Sequence, residues 1–338
     1  MPPRNLITDV PGVLVGNAED ARLASGVTAV VLEAPAVAAV DIRGGGPGTR
    51  ETALLDPAQT VQGIDAIALA GGSAFGLEAA AGVQAWLAQQ GRGFAVREAR
   101  VPIVPGAILF DLLNGGDKAW GRYPPYRELG YAAASRAGQE HALGNAGAGL
   151  GAATVNLKGG LGSASATRDG YTVGALAAVN AAGSAIIGDG PCFWAAPFEQ
   201  AAEFGGRGLP LLPLPAEALD PVTKGRAQAS TTLAVVATDA TLTKAEAKRL
   251  AIMAQVGLAR ALYPIHTPLD GDVVFAVATG RKPPPAGLHG LTALGSIAAN
   301  CLARAVARGV YAAAALPFAG ALPAWRDKFA AAPREGLP

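Results

Sequence analysis

The stretch from Gln228 to Asp239 constrains the fold and the chemistry of this chain more than any other. Its sequence, Gln-Ala-Ser-Thr-Thr-Leu-Ala-Val-Val-Ala-Thr-Asp, sets a cluster of small hydroxyl residues directly before an apolar, β-branched run. Such a run predicts a buried strand. A strand that begins at Ser230, Thr231 and Thr232 brings hydroxyl groups to the mouth of a hydrophobic core.

These hydroxyl groups have a structural and a chemical interpretation. Ser and Thr are common in turns, so on this stretch alone we favour a role in satisfying backbone groups at the strand entrance. In a self-cleaving precursor, by contrast, one hydroxyl attacks the carbonyl group of the preceding residue and the peptide bond breaks. The freed α-amine, with an ordinary pKa of about 7.7–8, then serves as general base. The Pro-dotted residues 190–220, followed by Lys224-Gly225-Arg226, suit such a precursor as a flexible approach to the strand.

The composition disfavours several classes of partner and site. Hydrophobic residues make up 51% of the 338 residues and charged residues 16%, so we expect oligomerisation to cover part of the surface. The formal net charge is +1 without a basic block, which disfavours nucleic acid and membranes as partners. Two cysteines and three scattered histidines predict neither a disulfide framework nor a metal site. The N-terminal residues lack the apolar core of a signal peptide, so we expect a cytoplasmic protein.

Strand and helix patterns alternate along the rest of the chain without a clear domain break, which predicts a single domain over residues 1–338. Strands are predicted at residues 26–32, 37–42, 64–70, 172–182 and 273–279. Helices are predicted at residues 74–90, 130–141 and 291–309, and another is opened by the capping box of Thr243 and Glu246. Two glycine-rich stretches, 43–52 and 144–165, match neither a phosphate-binding loop nor a dinucleotide fingerprint, so we interpret them as sites of close backbone packing.

Five polar side chains are candidates for a site, and each has a simpler alternative. Asp270 and Asp272 face the same side of an extended backbone, either as a solvated turn or as groups that orient an N-terminal amine and hold the nucleophile's hydroxyl. Asn180 ends a predicted strand as a cap or as an oxyanion donor. Lys158 is a solvated cation or a charge that stabilises an intermediate, and Tyr123 is a packing residue or a substrate-facing hydroxyl.

Five segments spread over nearly the whole chain carry a specific family resemblance. In the N-terminal half they are Gly-Gly-Gly-Pro-Gly-Thr-Arg-Glu-Thr (44–52), Ala-Gly-Gly-Ser-Ala-Phe-Gly-Leu (70–77) and Val-Pro-Ile-Val-Pro (101–105). In the C-terminal half they are Ser-Thr-Thr-Leu-Ala-Val-Val-Ala-Thr-Asp (230–239) and His-Thr-Pro-Leu-Asp-Gly-Asp-Val-Val-Phe-Ala-Val-Ala-Thr (266–279). Together they resemble the L-aminopeptidase/D-esterase family, which includes the β-aminopeptidases and the endo-type 6-aminohexanoate-oligomer (nylon-oligomer) hydrolase.

The resemblance implies an α+β fold, an αββα sandwich similar to the N-terminal-nucleophile hydrolases but differently connected. It also implies autocleavage into a large chain, residues 1–230, and a small chain, residues 231–338, which stay together in a homotetramer or larger ring. No metal or organic cofactor is implied, and the expected partner is a small-molecule amide or peptide substrate.

The resemblance also assigns roles by position. Thr231 matches the nucleophile, and the remaining site positions are matched by Asp270, Asp272, Lys158, Asn180 and Tyr123. Tyr126 lies close to Tyr123, in a loop whose length differs from the family pattern. Ser230 stands where family members often carry Asn or Gly, which leaves Ser230 as an alternative nucleophile, although the strand register favours Thr231.

The function expected from this sequence is a self-processing amide hydrolase. It would act through an acyl-enzyme on short peptides, amino-acid amides or 6-aminohexanoate oligomers. One alternative is an uncleaved, non-catalytic relative that binds small molecules or partners. A second alternative is an acyl transferase that uses an amine in place of water.

Overall fold

Eleven strands and five α-helices form within the part of the chain that the computed structural model describes, which is residues 3–211, 213–224 and 230–329. The strands, in chain order, are β1 (Val13–Asp20), β2 (Ser25–Ile42), β3 (Gly48–Arg50), β4 (Gly63–Ala70), β5 (Phe94–Val96), β6 (Ala99–Val101), β7 (Gly106–Ile108), β8 (Leu161–Arg168), β9 (Tyr171–Asn180), β10 (Thr231–Ala240) and β11 (Val273–Lys282). The α-helices are α1 (Ala79–Gln89), α2 (Tyr126–Ser135), α3 (Lys244–Ala259), α4 (Gly287–Ala312) and α5 (Trp325–Phe329).

The long strand β2 joins the two layers of the fold. In the described residues, nine strands form one sheet in the order β3-β7-β4-β2-β11-β10-β9-β8, and β1 also pairs with β2. The first part of β2 pairs with β1 and β4, whereas residues 37–42 pair with β11. One strand therefore belongs to both layers.

The sequence predicted two separate strands in this region, at residues 26–32 and 37–42, and that division was wrong. A single strand of 18 residues runs through both. Residues 33–35, which include Pro35, are exposed, whereas Ala36 is buried, and the pairing register with β4 shifts between Val31 and Ala36. Proline is tolerated at such an irregularity, because no ladder hydrogen bond is required from its nitrogen there.

Alternating side chains build a core on each face of the sheet. On β10, Leu233 and Val235 share a cluster with Ile67 and Leu69 of β4, so the inner faces of the two layers meet in one core. The outer face of β10 packs with α3 and α4, and the outer faces of β2 and β4 pack with α1 and α2. The resulting order of helices, sheet, sheet and helices confirms the predicted α+β fold and αββα sandwich.

The helix predictions were correct in kind but displaced at their ends. The predicted helix 74–90 begins as the 3-10 helix Ser73–Glu78 and continues as α1. The predicted helix 130–141 lies earlier in the chain, as α2, because Pro125 occupies its N-cap position and the helix starts directly after it. The apolar pattern indicates neither the 3-10 segment before α1 nor the start that Pro125 sets for α2.

The helices α3 and α4 agree with their predictions. Thr243 and Glu246 form the predicted capping box of α3, with the Thr243 hydroxyl accepting from the Glu246 backbone N–H. The helix α4 includes the predicted segment 291–309 and is long and apolar enough, by length and composition alone, to cross a membrane. It packs instead on β8, β9 and α3, and its buried Arg304 forms an ion pair of 2.5 Å with Glu203, as suits a core helix.

The glycine-rich residues 144–165 end in the first part of a strand, β8 (Leu161–Arg168), that the sequence did not predict. Glycine is depleted in strands, so the pattern indicated close backbone packing without indicating a strand. Glycine is nevertheless required here by close approach. A Cβ atom on Gly162 of β8 would lie 1.9 Å from the Ala305 carbonyl oxygen of α4, which confirms the prediction of close backbone packing.

Candidate active site

The peptide bond between Ser230 and Thr231 is held at the start of β10. Ser230 continues the β10–β11 ladder: its N–H donates to the Leu269 carbonyl at 3.0 Å, and its carbonyl oxygen accepts from the Gly271 N–H at 2.7 Å. The Thr231 hydroxyl donates to the same carbonyl oxygen at 2.6 Å. The hydroxyl therefore lies against the carbonyl group of the residue that precedes it in the chain.

Gly271 permits this close arrangement. A Cβ atom at Gly271 would lie 2.6 Å from the Thr231 Oγ1 atom and 2.7 Å from the Gly46 carbonyl oxygen. Real Cβ atoms do not approach other atoms so closely without a shift of the backbone. The glycine between the two aspartates thus has a steric role beside Thr231, and the sequence analysis had considered only the aspartates.

Both aspartates are fully buried and are held by backbone donors. Asp270 accepts from the N–H groups of Ala182 at 3.0 Å and Thr267 at 2.9 Å, and from the Thr267 hydroxyl at 2.7 Å. Asp272 accepts from the Thr232 N–H at 2.8 Å and contacts the His266 Nδ1 atom at 2.8 Å.

The Asp272 carboxylate is therefore bound by the N–H group of Thr232, the residue that follows the predicted nucleophile. Burial raises the pKa of Asp272, the His266 hydrogen bond opposes that rise, and the charge of Asp270 adds to it. Within the described residues, the hydrogen bonds of the two carboxylates go to Ala182, Thr232, His266 and Thr267, and not to the Thr231 hydroxyl. His266 is a site residue that the sequence analysis weighed only as a metal ligand.

The glycine-rich loop after β2 packs against the segment from Asp270 to Asp272. Arg43 and Gly46 donate their N–H groups to the carbonyl oxygens of Asp272, at 3.0 Å, and Asp270, at 2.8 Å. A Cβ atom on Gly44 would lie 2.3 Å from the Asp272 nitrogen. The prediction that backbone packs closely here is confirmed.

Asn180 lies directly opposite Thr231 in the antiparallel pair of β9 and β10. Its Oδ1 atom accepts from the Ala153 N–H at 3.0 Å and from the Lys224 Nζ atom at 3.1 Å, and its Nδ2 atom donates to the Phe110 carbonyl at 3.0 Å. Two donors at one end of the amide and an acceptor at the other define its orientation. Because paired residues in such a ladder have Cα atoms about 4.5–5.5 Å apart, the amide lies beside the start of β10.

Two lysine ammonium groups lie near Asn180. Lys158 is buried and donates to the carbonyl oxygens of Gly149 at 2.9 Å and Gly159 at 2.7 Å. Burial lowers the pKa of Lys158 to about 7, an effect opposed by Asp111 and reinforced by Lys224. Burial likewise lowers the pKa of Lys224 to about 7, opposed by the charge of Asp270. The sequence pattern indicates Lys224 only as part of the approach to the strand, and its position here depends on tertiary packing.

A cavity of about 240 Å³ opens beside these groups. Its lining includes Lys158, Asn180, Lys224 and Asp111, together with part of the C-terminal segment from Leu316 to Leu322. The lining is therefore a mixture of charged side chains, the amides of Asn114 and Asn180, and apolar surface, which is typical of a small-molecule site.

Asp111 is a buried acid in the cavity wall that the sequence analysis missed. It accepts from the Ser25 hydroxyl at 2.6 Å and from the Gly72 N–H at 2.8 Å. Burial raises the pKa of Asp111, and the nearby Lys118 ammonium opposes this rise. Gly71 and Gly72, which lie in the Gly-Gly-Ser turn after β4, thus make room for this carboxyl group and bind it.

The two tyrosines lie in different surroundings. Tyr123 has 68% of its side chain exposed, contacts the Arg122 guanidinium through its ring and is not part of the cavity lining. Tyr126 is buried and donates its hydroxyl to Ser25 at 2.9 Å, and Ser25 in turn donates to Asp111. Of the pair, Tyr126 is therefore connected to the cavity wall, and substrate contact by Tyr123 stays a prediction.

Comparison with known proteins identifies the family of this chain. The sequence profile of peptidase family S58 matches residues 5–321. An uncharacterized aminopeptidase of Mycobacterium bovis is 47% identical, over 96% of this chain and 98% of its own. A 6-aminohexanoate-oligomer endohydrolase of a Kocuria species is 30% identical, over 88% of this chain and 84% of its own.

A solved structure shares the fold. The L-aminopeptidase D-Ala-esterase/amidase of Ochrobactrum anthropi, described as a new variant of the Ntn hydrolase fold, superposes with a TM-score of 0.69. It is 22% identical, and the match covers 96% of this chain and 92% of that protein. With the family profile matched over nearly its whole length, the chain belongs to peptidase family S58 and is a hydrolase of amide bonds.

Proposed function

We propose that this hydrolase processes itself between Ser230 and Thr231 and then uses Thr231 as its nucleophile. The observation that carries the proposal is the position of the Thr231 hydroxyl, which donates to the Ser230 carbonyl oxygen at 2.6 Å. The same oxygen accepts from the Gly271 N–H at 2.7 Å. A backbone donor aimed at an oxygen that gains negative charge stabilises a tetrahedral intermediate.

The cleavage proceeds in two steps. Thr231 Oγ1 attacks the Ser230 carbonyl carbon, the C–N bond breaks, and the proton leaving the hydroxyl ends on the Thr231 nitrogen. The resulting ester between Ser230 and Thr231 is hydrolysed by water. The products are residues 1–230, which end in a carboxylate, and residues 231–338, which begin with a free threonine.

In the cleaved enzyme the new α-amine serves as general base, because its ordinary pKa of about 7.7–8 is near neutral pH. Thr231 Oγ1 attacks the substrate amide, the amine product leaves, and water hydrolyses the acyl-enzyme. Departure of the Ser230 carbonyl would free the Gly271 N–H for the substrate oxyanion. Asn180 is the predicted second donor: its Nδ2 atom has one N–H on Phe110 and a second one to offer.

The other predicted residues act around this nucleophile. Asp270 and Asp272 fix the ends of the strands that carry it and orient its amine, and Lys158 tunes the charge of the site. The mechanism that we propose needs no metal or organic cofactor. Among the residues that the structure describes, no group of three His, Cys, Asp or Glu side chains could hold a metal ion.

The proposed substrates follow from the names of the relatives and from the size of the cavity. They are short peptides, amino-acid amides or 6-aminohexanoate oligomers, and a cavity of about 240 Å³ suits small groups of this kind. We further propose that the chains form a homo-oligomer, because only 16% of the residues are charged and assembly would cover part of the surface. The resemblance to the L-aminopeptidase/D-esterase family implies a homotetramer or larger ring, and we propose a cytoplasmic location for it.

The intact mass of the purified protein under denaturing conditions tests self-processing. We expect two chains, residues 1–230 and 231–338, from the wild type and one chain from Thr231→Ala. The cleaved wild type should release ammonia from an amino-acid amide, and Thr231→Ala should not. An uncut wild-type chain without amidase activity would overturn the proposal in favour of an uncleaved binding protein, and transfer of the acyl group to an added amine would indicate an acyl transferase.

A further inference from the structure

The ammonium group of Lys224 lies in a cavity whose other lining residues come from distant parts of the chain. Lys224 is the last of the described residues 221–224, which have no regular secondary structure, and it precedes Ser230 by six positions in the sequence. Its Nζ atom donates to the Ala153 carbonyl at 2.5 Å and to the Asn180 Oδ1 atom at 3.1 Å. Lys224, which precedes the proposed cleavage site, therefore fills part of the proposed substrate cavity.

The two acceptors are fixed by contacts other than Lys224. The Asn180 amide is held by the Ala153 N–H and the Phe110 carbonyl, and Ala153 forms a β-bridge with Lys158. Removing the Lys224 ammonium would leave both oxygen atoms in place. The pair is thus a preorganised subsite for a hydrogen-bond donor.

The charge around the subsite suits a cation. Burial lowers the pKa of Lys224 to about 7, whereas the negative charge of Asp270 favours its protonated form, and Asp111 lies in the same cavity wall. Lys158 contributes the opposing positive charge, and its ammonium is already held by the carbonyl oxygens of Gly149 and Gly159. A carbonyl oxygen and an amide oxygen near two carboxyl groups bind an ammonium group better than an anion.

We propose that the Ala153 carbonyl and the Asn180 side-chain oxygen form the subsite for the substrate's primary ammonium group, which Lys224 occupies in the uncut chain. This inference rests on the proposed function, because cleavage after Ser230 would leave Lys224 near a chain end and no longer joined to β10. A substrate ammonium then replaces the lysine.

The position of the subsite also predicts where the substrate is cut. Asn180 is the direct ladder partner of Thr231, so the subsite and the nucleophile are carried by neighbouring residues of adjacent strands. The amide bond within reach is then the first one after the amino group. The enzyme should act as an aminopeptidase on substrates with a free amino terminus, and a blocked terminus should abolish binding.

A binding experiment on the uncut chain tests the subsite. The probes are L-alaninamide and N-acetyl-L-alaninamide at pH 7, measured by titration calorimetry. The proteins are Thr231→Ala and the double variants Thr231→Ala/Lys224→Met and Thr231→Ala/Lys224→Arg. The matched control is Thr231→Ala/Lys248→Met, which removes a lysine that pairs with Asp41 outside the cavity lining.

We expect the Lys224→Met double variant to bind L-alaninamide at least tenfold more tightly than Thr231→Ala, and to leave the acetylated probe unbound. The Lys224→Arg and Lys248→Met double variants should bind as weakly as Thr231→Ala. Equal binding of L-alaninamide by all four proteins would overturn the proposal, and so would equal binding of the two probes by the Lys224→Met variant. Thermal unfolding of each variant shows whether it is folded, and if Lys224→Met does not fold, Lys224→Gln, which also removes the charge, takes its place in the same comparison.

The result is independent of self-processing, because every protein in this comparison carries Thr231→Ala and none turns over substrate. If the wild type proves uncut and inactive while Lys224→Met still opens an ammonium site, the proposed function fails and the subsite stands. If the wild type cleaves itself and hydrolyses amides while Lys224→Met binds no ammonium probe, the subsite fails and the proposed function stands.

Discussion

Thr231 and Asn180 face each other across the antiparallel strands β10 and β9. This pairing brings the start of one buried strand against the end of another. The Thr231 hydroxyl donates to the Ser230 carbonyl oxygen at 2.6 Å. The Asn180 amide is held by three hydrogen-bond partners. Neither side chain needs a flexible loop for its position, so the site is carried by the core of the sandwich.

The first prediction concerns Gly271. A methyl group in the Gly271→Ala variant would lie 2.6 Å from Thr231 Oγ1 and 2.7 Å from the Gly46 carbonyl oxygen, so the hydroxyl must move off the Ser230 carbonyl. We expect self-cleavage to slow at least tenfold, which corresponds to about 1.4 kcal/mol in the barrier. The cut fraction over time, measured by intact mass, gives the rate.

Gly46→Ala is the matched control for this variant. Its added methyl group would have the Asp270 carbonyl oxygen as nearest neighbour, at 3.8 Å, which is an ordinary contact. This variant should cleave at the wild-type rate. If Gly271→Ala also does so, the close contact beside Thr231 has no part in the cleavage.

The parts of the site that lie on patterned strands could be predicted from the sequence. The apolar, β-branched run after Thr231 indicated a buried strand, and Asp270 and Asp272 precede another such run. Lys224 and Asp111 could not be found in this way, because each reaches the cavity from an irregular segment through tertiary packing alone. The turn at Gly71 and Gly72 binds Asp111, and its role likewise depends on this tertiary contact, which the sequence pattern does not indicate.

The fold was predictable to a similar extent and for a similar reason. Alternating and periodic apolar patterns identified most core strands and helices. The unbroken β2 escaped prediction because Pro35 reads as a strand end, although the ladder passes it at a register shift. The strand β8 escaped because its glycines serve the close approach of α4, a contact between distant parts of the chain.

The second prediction separates the two possible nucleophiles. Ser230 Oγ is buried and has no hydrogen-bond partner among the described residues, whereas Thr231 Oγ1 lies on the carbonyl group that it would attack. Ser230→Ala should therefore cleave at the same bond with a rate within about threefold of the wild type, and Thr231→Ser should cleave too. N-terminal sequencing of the small chain identifies the bond, and loss of cleavage in Ser230→Ala would assign the chemistry to Ser230.

The third prediction distinguishes Tyr123 from Tyr126. Tyr126→Phe removes a buried hydroxyl that donates to Ser25 at 2.9 Å, so we expect a loss of about 1 kcal/mol in the free energy of unfolding. Tyr123→Phe should leave stability unchanged, because its side chain is 68% exposed, and should raise KM if the predicted substrate contact exists. Denaturant unfolding and amide turnover on both variants give the comparison, and an unchanged KM in Tyr123→Phe would remove Tyr123 from the site.

The last prediction is a pH dependence of stability that arises from Lys158. Burial lowers the pKa of this ammonium from 10.5 to about 7, so between those values the unfolded chain binds a proton that the folded chain has released. The free energy of unfolding therefore rises with pH in this window, and falls again as pH drops towards 7. One such group contributes at most about 1.4 kcal/mol per pH unit.

Lys158→Met should remove this contribution. In the Thr231→Ala background, which keeps the chain uncut, we expect the free energy of unfolding to rise less steeply between pH 7 and 9 in Lys158→Met than in its parent. Part of the rise should persist, because burial lowers the pKa of Lys224 to about 7 as well. Lys248→Met, which removes a partly exposed lysine paired with Asp41, should keep the parent slope, so equal slopes in all three proteins would show that Lys158 keeps its proton in the folded chain.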